Sequence, residues 1–304
     1  MILTWFWIPF TLFATLTQTF RNGVQRNLTG HIGTLAATYV RFLYGLPFAL
    51  LFLVIVHFFS GDSLPVVSAR AVIWFGLGGL AQIIATALML AAMRQKSFVI
   101  TIAYTKTEPV QIALYSLVFL HERVSFVLIF AIVLATLGVM AMSWPRAPII
   151  GDNQPKALVR PVIYGLVSAA FFALAAVWFR FGILNLTGTG RFMAATTGLA
   201  IGLSCQSAMI LAYTLLRDRP SLYRVFQMPK LAATAGVLGA LASQLWFLGF
   251  ALTSATNVRT LAMVEVLFAQ IVSRQFFKQG TTRREKLGIA LLMLGAGLVV
   301  WLGA

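Results

Sequence analysis

The chain has 304 residues, of which 60% are hydrophobic and only 10% are charged, and its mean hydropathy is +0.90. This composition excludes a soluble globular domain of that length. The formal net charge of +16 would suit a nucleic-acid partner, but the basic residues punctuate apolar stretches, which indicates membrane orientation instead.

Ten apolar stretches are long enough to cross a bilayer as helices, since each holds roughly 20 residues. Strands of a membrane barrel would be about 9–11 residues long with alternating polarity, whereas these stretches are apolar on all sides. The first span has no basic leader, so we interpret it as a membrane helix and not as a removed signal peptide. The predicted spans are 3–26, 33–58, 71–93, 98–120, 125–144, 161–184, 192–215, 231–253, 258–277 and 286–303.

The first predicted helix carries a polar stripe at spacings of three and four residues, made of Thr11, Thr15, Gln18, Asn22 and Gln25. Lipid cannot satisfy these amides. One interpretation is a solute cavity, which we favour for Gln18. The alternative is hydrogen bonding between helices, which we favour for Gln25.

The second, third and eighth predicted helices add further polar candidates. Arg41 shares a helix face with Thr34 and Thr38. It is either the counter-ion of a buried carboxylate or of a substrate carboxylate, or a side chain that snorkels to the interface. Gln82 and Gln244 are additional cavity candidates.

The fourth predicted helix has a second polar stripe, formed by Thr101, Tyr104, Glu108, Gln111 and Tyr115. Lys106 lies roughly 200° around the helix from Glu108, so the two cannot pair along one face. Pro109 removes a backbone donor and predicts a kink that frees the carbonyl of Thr105.

Glu108 and Glu265 are the only two of the seven acidic residues that fall inside predicted spans. An ionised carboxylate at the bilayer centre costs on the order of 3 kcal/mol, so it should face protein or water. The functional interpretation is that they bind a cation or proton, or orient a substrate amine. The alternative is that each is a neutral or ion-paired packing group.

The two halves of the chain resemble each other at a nearly constant offset. A shift of 157 residues places Glu108 on Glu265 and Gly138 on Gly295. A five-span unit crosses the membrane an odd number of times, so the second copy inserts upside down. We therefore predict an all-α fold of ten transmembrane helices, an inverted repeat of two five-helix bundles over 1–145 and 161–304 with a linker over 146–160.

The distribution of basic residues predicts the orientation. When alternate loops are grouped, fifteen basic residues, Arg21 among them, fall on one side, and only Arg70, Arg123, Arg191 and Arg259 fall on the other. The positive-inside rule places the richer side in the cytoplasm. Both termini are then extracytoplasmic.

The stretch 97–144 contains Thr107-Glu108-Pro109, His121-Glu122-Arg123 and Gly138. It resembles the fourth and fifth helices of an EamA domain of the drug/metabolite transporter superfamily, and 254–301 repeats the pattern more loosely. The resemblance implies a ten-helix exporter or exchanger of amino acids, nucleotides, sugars or drugs. Gln279 stands where the second copy would have the counterpart of Glu122, which argues against a required role for that loop acid.

These observations predict a secondary transporter that moves a small polar or amphipathic metabolite across a bacterial cytoplasmic (inner) membrane by alternating access. A channel or a structural membrane scaffold is the alternative. An enzyme is disfavoured because no catalytic or metal-binding spacing occurs and Cys205 is the only cysteine. We expect no cofactor, metal or nucleic-acid partner, and proton coupling is a further hypothesis. The substrate-binding candidates are Gln18, Arg41, Gln82, Tyr104, Glu108, Gln111, Gln244 and Glu265.

Overall fold

The computed structural model describes residues 5–95, 104–115, 117–118, 125–143, 155–268 and 283–302. In this part of the chain the secondary structure is helical apart from one isolated bridge between Val66 and Thr187. The helices are α1 Trp7–Ile32, α2 Thr34–Leu43, α3 Gly45–Ser60, α4 Ala69–Gln95, α5 Glu108–Tyr115, α6 Phe126–Ser143, α7 Pro155–Leu184, α8 Arg191–Arg217, α9 Arg219–Val225, α10 Pro229–Leu252, α11 Ala255–Leu261 and α12 Arg283–Leu302.

Several helices are suited to cross a membrane. Five described segments are long and apolar enough, namely Thr34–Ser60, Ala69–Arg94, Val162–Leu184, Arg191–Arg217 and Pro229–Leu252. Phe126–Ala141 and Lys286–Trp301 are shorter apolar helices. The prediction of a multi-pass, all-α membrane protein is confirmed, and the count of ten spans stays a prediction.

Several helix boundaries differ from the predicted ones. The span 33–58 is divided by a turn at Tyr44. Helix α1 continues to Ile32, beyond the predicted end at 26. Helix α7 begins at Pro155, so the last residues of the predicted 146–160 linker are helical. Proline is well tolerated in the first turn of a helix, where its missing N–H has no intrahelical partner to lose.

The fourth predicted helix is interrupted next to its acidic residue. Lys106 and Thr107 form a turn, and α5 begins at Glu108 with Pro109 in its first turn. The Thr107 hydroxyl donates to the carbonyl of Tyr104 at 2.9 Å and so satisfies part of the interrupted backbone. The interruption lies beside Pro109, where the sequence predicts a kink, and Thr101 lies outside the described residues.

The ninth predicted helix has a comparable irregularity. Helix α11 ends at Leu261, a 3-10 turn covers Ala262–Val264, and α-helix resumes at Glu265. A 3-10 turn within a helix often marks a functional hinge. Both intramembrane glutamates therefore begin a helical segment directly after a break.

The main helix contacts pair one half of the chain with the other. They join α1 with α10, α3 with α8, α4 with α7, and α6 with α12. The α6–α12 contact is especially close, because a Cβ atom on Gly138 would lie 2.6 Å from the carbonyl oxygen of Gly288, and one on Gly295 would lie 2.7 Å from that of Ala131. Glycine is needed there for the backbones to approach.

Two loops meet at one end of the bundle. The Val66 N–H donates to the Thr187 carbonyl at 2.9 Å, and the Ser63 hydroxyl donates to the Gly188 carbonyl at 2.9 Å. The Thr189 hydroxyl returns a hydrogen bond to the Ser63 carbonyl at 2.6 Å. The loop after α3 and the loop after α7 therefore lie on the same face.

Candidate functional site

A small cavity of about 20 Å³ lies between helices of both halves. This volume accommodates about one water molecule. We call it the charged cavity, because five of its ten lining residues are ionisable. It is lined by Gln18, Arg21 and Asn22 of α1, Met89 of α4, Thr105 and Lys106 before α5, Glu108 of α5, Phe172 of α7, Arg259 of α11, and Glu265.

Glu265 is held by two donors. The Lys106 ammonium forms an ion pair with its Oε2, and the Gln18 side-chain amide donates to the same oxygen at 3.3 Å. Glu265 is only 1% exposed. Lys106 lies in the break at 106–107 and pairs with Glu265 of the second half of the chain. Its ionic partner is therefore not Glu108, with which it shares no helix face.

Glu108 is paired more loosely. Its Oε1 lies 3.3 Å from Nε of Arg259, but neither atom has a partner in hydrogen-bond alignment. The Arg259 guanidinium lies over the rings of Trp246 at 4.3 Å and Phe250 at 5.5 Å. Cation–π contact therefore positions Arg259 in addition to the carboxylate.

The two ion pairs belong to one network. The indole N–H of Trp246 donates to Oε1 of Gln18 at 3.1 Å, and Gln18 in turn donates to Glu265. Trp246 also supports Arg259, which contacts Glu108. The network connects α1, α5, α10 and α11 with Glu265 through side chains that are all at least partly buried.

Three of the eight sequence candidates, Gln18, Glu108 and Glu265, converge on the charged cavity. Gln82 and Gln244 lie elsewhere and join helices: Gln206 donates to Oε1 of Gln82 at 2.8 Å, and Gln244 donates to the Thr196 hydroxyl at 2.7 Å. Their role in substrate binding stays a prediction.

Tyr104 and Gln111 also lie outside the cavity lining. The Tyr104 side chain packs against α7, because a Cβ atom added to Gly165 would lie 2.7 Å from the Cβ atom of Tyr104. Gln111 donates to the Thr107 hydroxyl at 3.3 Å. The break at 106–107 changes the helical phase, so the predicted stripe does not present one continuous face to the cavity.

Arg41 is neither the counter-ion of a described carboxylate nor a side chain at the interface, and its role toward a substrate carboxylate stays a prediction. It forms no ion pair with a carboxylate in the described part of the chain, because the two intramembrane acids contact Lys106 and Arg259 instead. It is 2% exposed, so it does not snorkel to the interface. Its guanidinium donates to the Thr86 hydroxyl at 3.1 Å and lies 4.9 Å from the Phe42 ring centroid.

Sequence reasoning missed three basic residues of the site. Arg21 and Arg259 were assigned to opposite loop groups, yet they are 1% and 7% exposed and line the cavity. That assignment is wrong because both lie within helices. The signal for Arg21 was its place between Gln18 and Asn22 in the polar stripe. For Lys106, only the tertiary fold reveals the partner 159 residues away.

The residues of the polar stripe of α1 have different surroundings, and the predictions for Gln18 and Gln25 agree with them. Gln18 and Asn22 reach the cavity, whereas the Gln25 amide donates to the carbonyl of Ala37 at 3.1 Å and so links α1 with α2. Thr11 and Thr15 donate to carbonyls of their own helix.

Among the described residues, no group of three or more His, Cys, Asp or Glu side chains could hold a metal ion. His121, Glu122 and Arg123 and the counterpart Gln279 lie outside the described residues.

Comparisons with known proteins agree with this architecture. One solved structure, titled only as the crystal structure of a protein, superposes with a TM-score of 0.69 at 15% sequence identity, covering 98% of this chain and 96% of its own. This likeness concerns the fold alone. No curated protein sequence matches the chain.

The model of the EamA-like transporter family matches residues 5–144, which include Glu108, Lys106 and the polar stripe of α1. Residues 5–144 of this multi-pass membrane protein therefore belong to the EamA-like transporter family, within the drug/metabolite transporter superfamily.

Proposed function

We propose that this protein is a secondary transporter that moves a small polar or amphipathic metabolite across the cytoplasmic membrane by alternating access, with the charged cavity as its binding site. The observation that carries the proposal is the pair of buried interhelical ion pairs, Lys106 with Glu265 and Arg259 with Glu108. Charges inside membrane spans are expensive and usually mark a solute or ion pathway.

The small size of the charged cavity supports a state of the transporter in which the binding site is closed. About 20 Å³ leaves no room for a metabolite, so a substrate must separate the ion pairs when it binds. The loose Glu108–Arg259 contact at 3.3 Å is the easier of the two to separate. Substrate groups would then replace the lost ionic partners, which couples binding to movement of α5 and α11.

The pattern of helix contacts supports two equivalent halves. If each predicted helix of the first half is replaced by its counterpart five helices later, and the reverse, α1 corresponds to α7 and α4 corresponds to α10. The α1–α10 contact then becomes the α4–α7 contact. The α3–α8 and α6–α12 contacts each join two counterparts, so the exchange leaves them unchanged. Such exchange symmetry is expected of an inverted repeat that rocks around a central site. We therefore retain the two-half organisation over 1–145 and 161–304 as part of the proposal.

The loops also support an orientation. The loop after α3 and the loop after α7 share one face, and the flanking Arg70 and Arg191 belong to the group with few basic residues. The positive-inside rule makes this face extracytoplasmic. An alkaline phosphatase domain fused after Ala304 should then be active, and an inactive fusion would overturn the orientation.

The transport test uses the purified full chain in proteoliposomes. A thermal-shift screen against a metabolite library selects binding compounds, and a radiolabelled compound from that set should show saturable counterflow. Glu265→Gln should abolish counterflow, whereas Asp62→Asn, a carboxylate outside the cavity, should leave it intact. Ionic conductance without exchange would identify a channel and refute the proposal.

A further inference from the structure

The charged cavity has more basic than acidic groups. Its described lining includes the three cations Arg21, Lys106 and Arg259, but only the two carboxylates Glu108 and Glu265. Each carboxylate is already the ionic partner of one cation, through Lys106 and Arg259. Arg21 forms no ion pair of its own among the described residues; Glu265 lies within Coulombic range of it but already binds Lys106, so the cavity keeps one cation in excess.

Arg21 is enclosed and poorly satisfied. It is 1% exposed, and its Nη2 donates to the neutral side chain of Asn22 at 2.8 Å. Its Nε and Nη1 have no hydrogen-bond partner among the described protein atoms. A water molecule could accept from one of these N–H groups, but it would not neutralise the guanidinium charge.

A second buried arginine lies beside it. A Cβ atom on Gly239 would lie 3.2 Å from Cγ of Arg41 and 3.6 Å from Cδ of Arg21, so both side chains pack on the same glycine. Arg41 contacts the Thr86 hydroxyl and the Phe42 ring, which are neutral. The two guanidinium groups therefore add their positive potentials in the same region.

The other described carboxylates lie outside this region. Asp62 belongs to the loop after α3, and Asp218 caps α9 by accepting from the Ser221 N–H at 3.3 Å. Burial of an uncompensated charge in a low-dielectric interior is costly. The interior around Arg21 thus has the charge balance of a site whose anion arrives with a ligand.

The geometry points to an anionic substrate, bound through a carboxylate or phosphate group at Arg21, with Arg41 adding to the positive potential. This inference rests on the proposed transport function, because it assigns the substrate class of the same cavity. A planar guanidinium offers N–H donors along its edges to an oxyanion, and the unpartnered Nε and Nη1 of Arg21 lie on two different edges, next to Nη2.

The test measures binding and stability of the full chain in nanodiscs at constant ionic strength. Succinate and inorganic phosphate serve as anionic probes, putrescine as the cationic probe and glycerol as the neutral one. Succinate or phosphate should raise the unfolding temperature, and the response that is larger identifies the oxyanion. Arg21→Gln should weaken that binding by at least about tenfold, and Arg21→Lys should give an intermediate loss.

Stability without a probe separates a binding role from a structural one. Arg21→Gln should unfold at a higher temperature than the wild type, because it removes a buried charge that has no ion pair among the described residues. Arg26→Gln, at an exposed position on the same helix and outside the cavity lining, should leave anion binding unchanged. A lower unfolding temperature with an unchanged anion response would assign Arg21 a structural role and overturn the inference.

The remaining outcomes are also decisive. Stabilisation by putrescine or glycerol but not by either anion, or no response to any probe, would refute an anionic substrate. Counterflow of a neutral or cationic compound would then show that the transport proposal survives without this inference. Anion binding at Arg21 without counterflow of any compound would support an anion-binding site and refute the transport proposal.

Discussion

Two pairs of positions separated by 157 residues behave differently in this fold. Gly138 and Gly295 make matching contacts, since each allows the backbone of the opposite helix to approach so closely that a Cβ atom would collide. Glu108 and Glu265 each follow a break in a helix and reach the same cavity, but their partners are unequal.

The inequality lies in the hydrogen bonds. Glu265 accepts from both Lys106 and Gln18, whereas Glu108 only touches Arg259 without hydrogen-bond alignment. Packing between the halves can thus stay symmetric while the charged centre becomes asymmetric. The two pairs of positions therefore differ in the placement of charge and not in packing.

The largest effect should come from Glu265→Gln. It leaves the Lys106 ammonium buried without its carboxylate, which should cost about 3–5 kcal/mol of unfolding free energy. Thermal unfolding and counterflow of the purified protein measure the loss. The double variant Glu265→Gln/Lys106→Met should recover most of the stability but no transport. Normal counterflow by both Glu265→Gln and Glu108→Gln from about pH 5 to pH 8 would contradict their assigned roles.

The glycine pair should respond symmetrically and less strongly. Gly138→Ala and Gly295→Ala each force the α6 and α12 backbones apart, at a cost of about 1–3 kcal/mol in unfolding free energy. Gly297→Ala is the matched control, because a Cβ atom there meets nothing within 4 Å. Clearly unequal losses for the first two variants would break the symmetry of this contact.

Glu108→Gln should destabilise the protein less than Glu265→Gln, by about 1–2 kcal/mol. Arg259 keeps its position over Trp246 and Phe250 in this variant, and the glutamine oxygen can still face it. The comparison uses denaturant unfolding of both variants in the same detergent. An equal or larger loss for Glu108→Gln would mean that the loose contact contributes as much as the bonded one.

The smallest effect concerns the link between the two ion pairs. Trp246→Phe removes the N–H that donates to Gln18 at 3.1 Å but keeps a ring beneath Arg259, so we expect a loss of about 0.5–1.5 kcal/mol. Trp178→Phe is the control, since the indole N–H of Trp178 has no partner among the described residues. Thermal unfolding should separate these two variants.

Hydropathy and periodicity predicted much of the fold but only part of the site. The length of an apolar run and the spacing of polar residues are local properties of the sequence. The membrane helices and the polar stripe of α1 could therefore be predicted from it. Spacing rules assume a continuous helix, and the turn at 106–107 invalidates them for Tyr104 and Gln111. Charge counting treats each base as an interfacial residue, so it misplaced Arg21 and Arg259.

Contacts between segments that are distant in the chain could not be predicted from the sequence. The ion pair between Lys106 and Glu265 and the contact of Arg41 with Thr86 depend on how helices are arranged in three dimensions. Equivalence of Glu108 and Glu265 by the 157-residue shift was the one long-range signal, and it correctly brought both acids to one cavity.

The bridge between Ser63, Val66 and the 187–189 loop bears on how a face of the bundle can open. Three hydrogen bonds fasten the two loops, and each contributes only about 0.5–1.5 kcal/mol net at a wet surface. In the proposed alternating-access mechanism these bonds break when this face opens, and bonds of this strength break and re-form by thermal motion alone. We therefore expect the contact between the two loops to be reversible in that mechanism.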